Sequence, residues 1–199
     1  IPNTSKTEKE ILQFNYELGS NLPFISENGA AINGLELLNA DLPKELILSR
    51  EKYDLLNIFK NIVPINLQNK CSWVSEMNKK KQSLVFGLED KKLKMALNRK
   101  YTIPFIFEGT KNQRNELSKI IKNEDLYLQE GGRVINLTDR VSKAKALQIF
   151  VRFLKKNNKN IKTIAVGDNY NDLEMLKKSD FPCLVFNDKF TLDEIPINN

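Results

Sequence analysis

IAVGDNYNDLEML, residues 164–176, is the segment from which the architecture of the chain can be inferred. Residues 163–166 are apolar and partly β-branched, and the run stops at Gly167, a pattern typical of a strand buried in a parallel sheet. A helix is predicted directly after the strand, with Asn171 or Asp172 as its cap. The apolar positions of this helix that could face the sheet are Leu173, Leu176 and, further on, Phe181. A buried strand followed at once by a helix is the unit of α/β folds.

Three side chains with oxygen atoms follow the end of this strand, namely Asp168, Asn171 and Asp172. Ligands of open α/β sheets bind at the carboxyl ends of the strands. Carboxylate and amide oxygens are the ligands that a hard cation such as Mg²⁺ prefers. The same residue types also serve as turn residues and helix caps, so the spacing alone leaves both interpretations open.

A second candidate site lies near the start of the chain, at Thr4, Ser5 and Lys6. A helix is predicted over residues 8–18, with Thr4 or Ser5 at its start and Gly19 at its end. Hydroxyl groups and free backbone N–H groups at a helix N-terminus can bind phosphate. Capping of the helix explains the same residues, so this alternative also remains open.

Another helix is predicted over residues 142–155, with Ser142 as its N-cap. This places Lys143 in the first turn, where its charge can neutralise a phosphate group near the exposed N–H groups. Lys145 is an equally basic neighbour, and a lysine that only faces solvent is the alternative. The spacing does not choose between them.

The middle of the chain has a different pattern and predicts an α+β unit at residues 42–136, inserted between the two halves of a sheet domain at 1–41 and 137–199. Strands are predicted near 45–49, 104–108, 126–129 and 133–137, and helices near 53–62, 72–83, 89–100 and 114–121. A further strand pair is predicted at residues 23–32, around the turn Asn28-Gly29.

Composition excludes several classes of function. The 199 residues contain no histidine, which removes histidine bases and histidine metal sites. The net charge of +6 comes from dispersed lysines without clustered aromatic residues, so a nucleic-acid partner is not predicted. Cys71 and Cys183 lack metal-ligand spacing and indicate reduced thiols in a cytoplasm. No apolar stretch approaches the roughly 20 residues that cross a bilayer, so no membrane partner is predicted either.

The chain resembles the haloacid dehalogenase superfamily of phosphatases. Gly-Asp-x-x-Asn-Asp after an apolar strand is similar to the fourth motif of that family, and Ser142-Lys143-Ala144-Lys145-Ala146 to its third, with Ala144 in place of the usual glycine. Thr4 fits the second motif. The resemblance implies a Rossmann-like core at residues 1–41 and 137–199 and a type IIB cap at 42–136. It also implies Thr4, Lys143 and Asp168 as catalytic residues and Asp168, Asn171 and Asp172 as Mg²⁺ ligands.

The substrate-binding residues are implied by the same resemblance. FISENGAAI, residues 24–32, is similar to the branch that contains mannosyl-3-phosphoglycerate phosphatase. The implied residues are Ser5 and Lys6 beside the phosphate, Glu27, Asn28 and Gly29 at the mouth of the active site, and Arg99 and Arg133 in the cap. Guanidinium groups suit a carboxylate or phosphate on the substrate. The sequence departs from the pattern at Ile103, where relatives usually carry glutamate.

The first motif of the superfamily, Asp-x-Asp-x-Thr, is absent from the 199 residues. The expected function is Mg²⁺-dependent hydrolysis of a sugar or glycerate phosphate through an aspartyl-phosphate, with a nucleophile upstream of Ile1. The chain as given is then expected to bind without turnover. A sheet without its central strand also predicts self-association as a homo-oligomer. Alternatives are a non-catalytic protein that binds a phosphate ligand, or a phosphatase for another sugar phosphate such as sucrose phosphate or glucosyl-3-phosphoglycerate.

Overall fold

The computed structural model describes residues 1–130, 133–157 and 160–185, and in these ranges it contains nine strands and eight α-helices. The strands are β1 (Phe24–Ser26), β2 (Ala31–Asn33), β3 (Glu45–Ile47), β4 (Cys71–Trp73), β5 (Ile103–Phe107), β6 (Leu126–Glu130), β7 (Ile135–Asp139), β8 (Ile164–Gly167) and β9 (Phe181–Leu184). The helices are α1 (Glu8–Glu17), α2 (Lys52–Ile62), α3 (Ile65–Gln68), α4 (Lys79–Phe86), α5 (Asp90–Leu97), α6 (Lys111–Lys122), α7 (Lys143–Asn157) and α8 (Leu173–Lys177). The α/β fold class is thereby confirmed, and none of these helices is long and apolar enough to cross a membrane.

The first sheet is an antiparallel hairpin, β1 and β2, to which β3 adds on the outer side of β2. The predicted turn is confirmed, with positive φ angles at Glu27, Asn28 and Gly29 (46°, 61° and 97°). Helix α7 packs on this sheet through Ala146 and Phe150. The domain boundary at residue 42 remains a prediction, but the pairing of β3 with β2 favours a boundary nearer Ser49.

The second sheet is antiparallel, in the order β4-β5-β7-β6. Helices α2 and α6 cover one face of it, and the core between them includes Leu55, Phe59, Phe105, Leu117, Ile121 and Leu137. The helix predicted at 72–83 is wrong in its first half, because Trp73 lies in β4. There its ring packs against Phe59 and Phe105 at centroid distances of 5.1 and 5.0 Å. Burying an aromatic side chain of this kind contributes about 1.5–3 kcal/mol, which outweighs the local helix preference of the polar residues that follow.

The third sheet contains β8 and β9, which run parallel to each other. Phe181, predicted to lie on the face of the helix after β8, instead begins β9 opposite Ile164. The end of the predicted last strand, Phe186, lies outside the described residues. Within those residues β8 pairs only with β9, and the side chains of Ile164 and Val166 are 71% and 61% exposed.

Arg50 and Asp139 join the two places where the chain enters and leaves the part that contains the second sheet. The guanidinium Nε and Nη2 of Arg50 donate to the two carboxylate oxygens of Asp139, each at 2.9 Å. Burial alone would raise the pKa of the Asp139 carboxyl, but hydrogen bonds from the side chain and backbone of Arg50 and from the backbone of Arg140 outweigh it. The pKa of Asp139 therefore lies below its usual value.

This lowered pKa predicts a pH-dependent part of the stability. A carboxyl group whose pKa is lower in the folded state contributes stability that is fully present above its unfolded pKa, about 3.9, and is lost as the pH falls through the folded pKa. Because Arg50 is partly exposed, we expect Asp139→Asn to lower the free energy of unfolding by only about 1 kcal/mol at neutral pH. Urea denaturation at falling pH should show the difference from wild type closing below about pH 4. Asp54→Asn, at an exposed carboxylate, is the control, and a difference that persists undiminished in acid would contradict the expectation.

Candidate active site

A buried ion pair lies where α7 begins and β8 ends. The Nζ of Lys143 is 2.6 Å from Oδ1 of Asp172, and the two side chains are only 9% and 7% exposed. The other oxygen of Asp172, Oδ2, accepts from the backbone N–H groups of Asp168 at 3.3 Å and Asn169 at 3.2 Å. The predicted cap of α7 is present, since Ser142 Oγ accepts from the backbone N–H of Lys145 at 3.2 Å. The structure therefore separates the two lysines, because Lys143 points into the site and Lys145 is exposed.

Two glycines permit the close packing around this pair. A Cβ atom on Gly29 would lie 2.3 Å from the carbonyl oxygen of Ser142, so only glycine lets the β1–β2 turn contact the start of α7. A Cβ atom on Gly167 would lie 2.5 Å from the Cβ of Asp172. The sequence thus places glycine at the two points where backbone must approach the residues that hold Lys143 and Asp172.

Asn3 belongs to the site, although sequence reasoning missed it. Its Nδ2 donates to the carbonyl oxygen of Lys143 at 3.0 Å, and its Oδ1 is buried without a hydrogen-bond partner among the described residues. Its position next to Thr4 was the available signal. Asn3 fixes the first turn of α7 to the start of the chain, over 140 residues of sequence.

Asn171 and Asn28 bring the end of β8 to the β1–β2 turn. Asn171 Nδ2 donates to Asn28 Oδ1 at 3.4 Å, and the backbone N–H of Asn28 donates to the carbonyl oxygen of Thr4 at 2.9 Å. The Oδ1 of Asn171 is buried and has no partner among the described residues. An unpaired amide oxygen one turn from the exposed carboxylate of Asp168 fits a hard cation. The carboxylate of Asp172 fits less well, because Lys143 and two N–H groups already occupy it.

Among residues 1–130, 133–157 and 160–185, no three acidic, cysteine or histidine residues cluster into a group that could hold a metal ion by itself. The residues that fit Mg²⁺ are therefore one carboxylate and one amide, Asp168 and Asn171. Such a pair would leave the remaining ligands of the ion to water or to a phosphate oxygen.

Thr4, Ser5 and Lys6 form a loop before α1 rather than its cap. The N-cap is Thr7, whose Oγ1 accepts from the backbone N–H of Glu10 while the Glu10 carboxylate accepts from the N–H of Thr7. Thr7-x-x-Glu10 is a capping-box sequence, and this signal was sufficient to place the start of the helix. Thr4 therefore does not cap the helix. Lys6 is exposed and contacts Glu10 at 3.5 Å.

Glu27 and Arg99 both form hydrogen bonds with Thr102, at the boundary between the β1–β2 turn and the segment before β5. The buried carboxylate of Glu27 accepts from the N–H groups of Lys100 and Tyr101 and from the hydroxyl of Thr102. Arg99 Nη1 donates to Thr102 Oγ1 at 2.9 Å and to the carbonyl oxygen of Ser5 at 3.2 Å. Burial lowers the pKa of the Arg99 guanidinium, while the nearby charges of Glu27 and Glu10 oppose this effect.

Arg133 lies apart from these residues. Its side chain is exposed and Nη1 donates to the carbonyl oxygen of Phe86 at the end of α4. In the described part of the chain, the contacts of Arg133 do not include the other predicted site residues, and the two glycines before it lie outside that part. Ile103, the departure from the family pattern, is 7% exposed in β5 and packs in the core under α2 and α6.

Comparisons with known proteins show the family of the chain. The sequence profile of the haloacid dehalogenase-like hydrolases matches residues 3–194. A glucosyl-3-phosphoglycerate/mannosyl-3-phosphoglycerate phosphatase of Persephonella marina is 30% identical over 202 residues, which cover 97% of this chain and 75% of the relative. A phosphatase of the same name from Methanococcoides burtonii is 28% identical over 190 residues, covering 92% and 70%.

A solved structure has the same fold. A haloacid dehalogenase-like hydrolase from B. subtilis superimposes with a TM-score of 0.57 at 19% identity, covering 88% of this chain and 73% of that one. The family profile extends over nearly the whole chain and includes the segments that carry Thr4, Lys143 and Asp168. The chain therefore belongs to the haloacid dehalogenase-like hydrolases.

Proposed function

We propose that this chain provides the phosphate site, metal site and cap of a Mg²⁺-dependent phosphatase. Its substrate would be a phosphate monoester of a sugar or glycerate derivative, most like mannosyl-3-phosphoglycerate or glucosyl-3-phosphoglycerate. The observation that carries the proposal is the buried pair of Lys143 and Asp172, placed where α7 begins, where β8 ends and beside the loop that contains Thr4. The names of the relatives in Persephonella and Methanococcoides support the choice of substrate.

Lys143 and Thr4 are the proposed phosphate ligands. An ammonium group has three donors, and Asp172 accepts from one of them, which leaves two for phosphate oxygens. The hydroxyl of Thr4 accepts from the N–H of Lys6 at 3.3 Å, so its proton remains available as a donor. Donors that are fixed before the substrate arrives stabilise the charge that develops during phosphoryl transfer.

Asp168 and Asn171 are the proposed Mg²⁺ ligands. When bound, the ion would neutralise charge on the phosphate oxygens and draw electron density from phosphorus. Asp172, which the sequence predicted as a third Mg²⁺ ligand, would have a different role. Because its carboxylate holds Lys143 on one side and the backbone of Asp168 and Asn169 on the other, it would orient both the lysine and the loop.

The nucleophile is proposed to come from outside these residues, since they contain no Asp-x-Asp. An aspartate carboxylate would attack phosphorus and form an aspartyl-phosphate as the bond from phosphorus to the ester oxygen breaks, and the sugar or glycerate would leave as an alcohol after taking up a proton. Water would then hydrolyse the aspartyl-phosphate to phosphate and the free carboxylate. The exposed side chains of Ile164 and Val166 lie in β8, one edge of which has no partner strand in the part of the chain that the structure describes. They support either an additional strand there or association with a second copy. Both cysteines are free, which supports a cytoplasmic location.

A non-catalytic protein that binds a phosphate ligand is the second candidate, and the missing Asp-x-Asp is the observation that favours it. Both candidates predict binding of phosphate, and they differ only in turnover. Assay of the 199-residue chain beside a version extended by its upstream coding sequence separates them. Turnover of sugar phosphates by the extended protein supports the enzyme, and none by either protein supports the binder.

The metal site gives a direct test on the chain itself. Asp168→Ala should abolish Mg²⁺ binding measured by calorimetry, because it removes the carboxylate from the proposed pair of ligands. The free energy of unfolding should change by less than about 0.5 kcal/mol, since the side chain is exposed. Asp41→Ala, at another exposed aspartate, is the matched control and should bind Mg²⁺ as wild type does. Unchanged binding in Asp168→Ala would remove Asp168 from the metal site.

A further inference from the structure

Glu27, Thr102, Arg99 and Ser5 form a continuous chain of hydrogen bonds across the boundary between the β1–β2 turn and the predicted cap. The shortest of these bonds is donated by the Thr102 hydroxyl to Glu27 Oε2, at 2.6 Å. Since that hydroxyl donates its only proton to Glu27, the lone pairs of its oxygen accept from Arg99 Nη1 at 2.9 Å. The donor and the acceptor of each hydrogen bond are thereby fixed, and the Glu27 carboxylate determines where the Arg99 guanidinium lies.

The carboxylate of Glu27 is closed to a substrate. Its residue is 2% exposed, and three donors from Lys100, Tyr101 and Thr102 already surround its two oxygens. A substrate hydroxyl would have to displace one of these donors and leave it buried and unpaired, at a cost of about 1–3 kcal/mol. Direct substrate binding by Glu27 is therefore unfavourable in this arrangement.

The backbone at Glu27 has a conformation that glutamate seldom adopts. Its φ of 46° lies in the left-handed region, which glycine and asparagine adopt most readily. A glutamate there costs of order 1 kcal/mol. The hydrogen bonds from residues 100–102 to the carboxylate offset this cost, so the glutamate side chain stabilises the contact between the turn and that segment.

Arg99 and Thr102 also line a cavity of about 170 Å³, together with Lys52, Tyr53 and Ser75 and with four apolar residues, Leu56, Leu97, Ile103 and Pro104. The Nε of Arg99 is buried and has no hydrogen-bond partner among the described residues. Arg99 and Lys52 give the lining of this cavity two cationic residues, which suits an anionic group such as a carboxylate. The same arginine is also bonded to the carbonyl oxygen of Ser5, the residue that follows Thr4.

We infer that Glu27 is a positioning residue, which acts through Thr102 to hold Arg99 between the Thr4 loop and this cavity. It thereby favours phosphate esters that carry a second anionic group, without touching the substrate. The inference rests on the proposed function, because it takes the Thr4 loop as the phosphate site. It differs from the expectation that Glu27 itself binds the substrate.

Calorimetry of the 199-residue chain with Mg²⁺ tests the inference, using 3-phosphoglycerate and inorganic phosphate as probes. Glu27→Gln should weaken binding of 3-phosphoglycerate about tenfold, as expected when one charged hydrogen bond is misplaced, and should change phosphate binding less than about twofold. Thr102→Val should behave in the same way, and Thr102→Ser should restore wild-type binding. Glu45→Gln is the matched control, because Glu45 contacts the side chains of Lys100 and Tyr101 but not the chain of bonds to Arg99.

A double-mutant cycle separates positioning from a general effect on stability. If Glu27 acts through Arg99, then Glu27→Gln should add little to the effect of Arg99→Lys on 3-phosphoglycerate binding. Additive effects, or equal weakening of both probes by Glu27→Gln, would overturn the inference.

Failure of the proposed function would look different. If wild type binds neither probe, the phosphate site is wrong, and the positioning role is then decided by amide hydrogen exchange. The N–H groups of Lys100 and Tyr101 should be protected in wild type and in Glu45→Gln, and should exchange faster in Glu27→Gln. Equal protection in all three proteins would overturn the inference.

Discussion

Replacement of Lys143 by methionine is expected to abolish phosphate binding and to lower the free energy of unfolding by about 3 kcal/mol. The substitution keeps an unbranched side chain that is one atom shorter but leaves the Asp172 carboxylate buried without its cation. Loss of one partner of a buried pair typically costs about 3–5 kcal/mol. The lower end of that range is expected here, because two backbone N–H groups still donate to Asp172. Calorimetry with phosphate and urea denaturation measure the two effects.

Lys145→Met is the matched control for this experiment. Lys145 is two residues away in the same helix and has the same charge, but it is exposed, so both binding and stability should stay near wild type. The double variant Lys143→Met/Asp172→Asn should recover most of the stability without phosphate binding, because neither buried charge is then unpaired. Equal loss of binding in Lys143→Met and Lys145→Met would show that the charge of the helix matters and not the position of Lys143.

Gly29→Ala is expected to have the second large effect. Its φ of 97° is strained for any residue with a side chain, and the added Cβ would meet the Ser142 carbonyl oxygen at 2.3 Å. Because that oxygen belongs to the backbone, either the turn or the start of α7 must move. We expect a loss of about 2–5 kcal/mol in the free energy of unfolding. Phosphate binding should fall as well, since Lys143 directly follows Ser142.

Gly19→Ala separates the contact from the backbone conformation. Gly19 also has a positive φ, 60°, but a Cβ there would meet nothing within 4 Å. Only the strain of the left-handed conformation remains, so the expected loss is about 1 kcal/mol with normal phosphate binding. A Gly29→Ala variant no less stable than Gly19→Ala would mean that the turn and α7 are not packed as described.

The sequence predicted the elements around the site better than the contacts between them. The strand, the loop and the helix near Asp168 are local features, and so is the position of Lys143 in the first turn of α7. The pairing of Lys143 with Asp172 spans 29 residues and depends on how α7 packs beside β8, which no local pattern specifies. For this reason the sequence predicted Asp172 as a metal ligand, whereas in the structure its carboxylate forms an ion pair with Lys143.

Glu27 shows the same limit more strongly. Its turn was predicted correctly from Asn28-Gly29, but the direction of its carboxylate is set by a segment more than 70 residues away. The start of α1 is a different case, because Thr7 and Glu10 form a capping box that the sequence displays in full. The predicted start at Thr4 or Ser5 was therefore wrong by two to three residues, because the box places the cap at Thr7.

The ion pair of Arg50 and Asp139 also limits how the part between them can move. Because both crossing segments are joined at one place, we expect that part to rotate about the ion pair rather than to slide along the rest of the molecule. The bonds from residues 100–102 to Glu27 join the same two parts of the molecule, so such a rotation would strain them as well. Access to the phosphate site would then be governed by an angle, with the Arg50–Asp139 ion pair as its axis and the hydrogen bonds of the Glu27 carboxylate resisting the rotation.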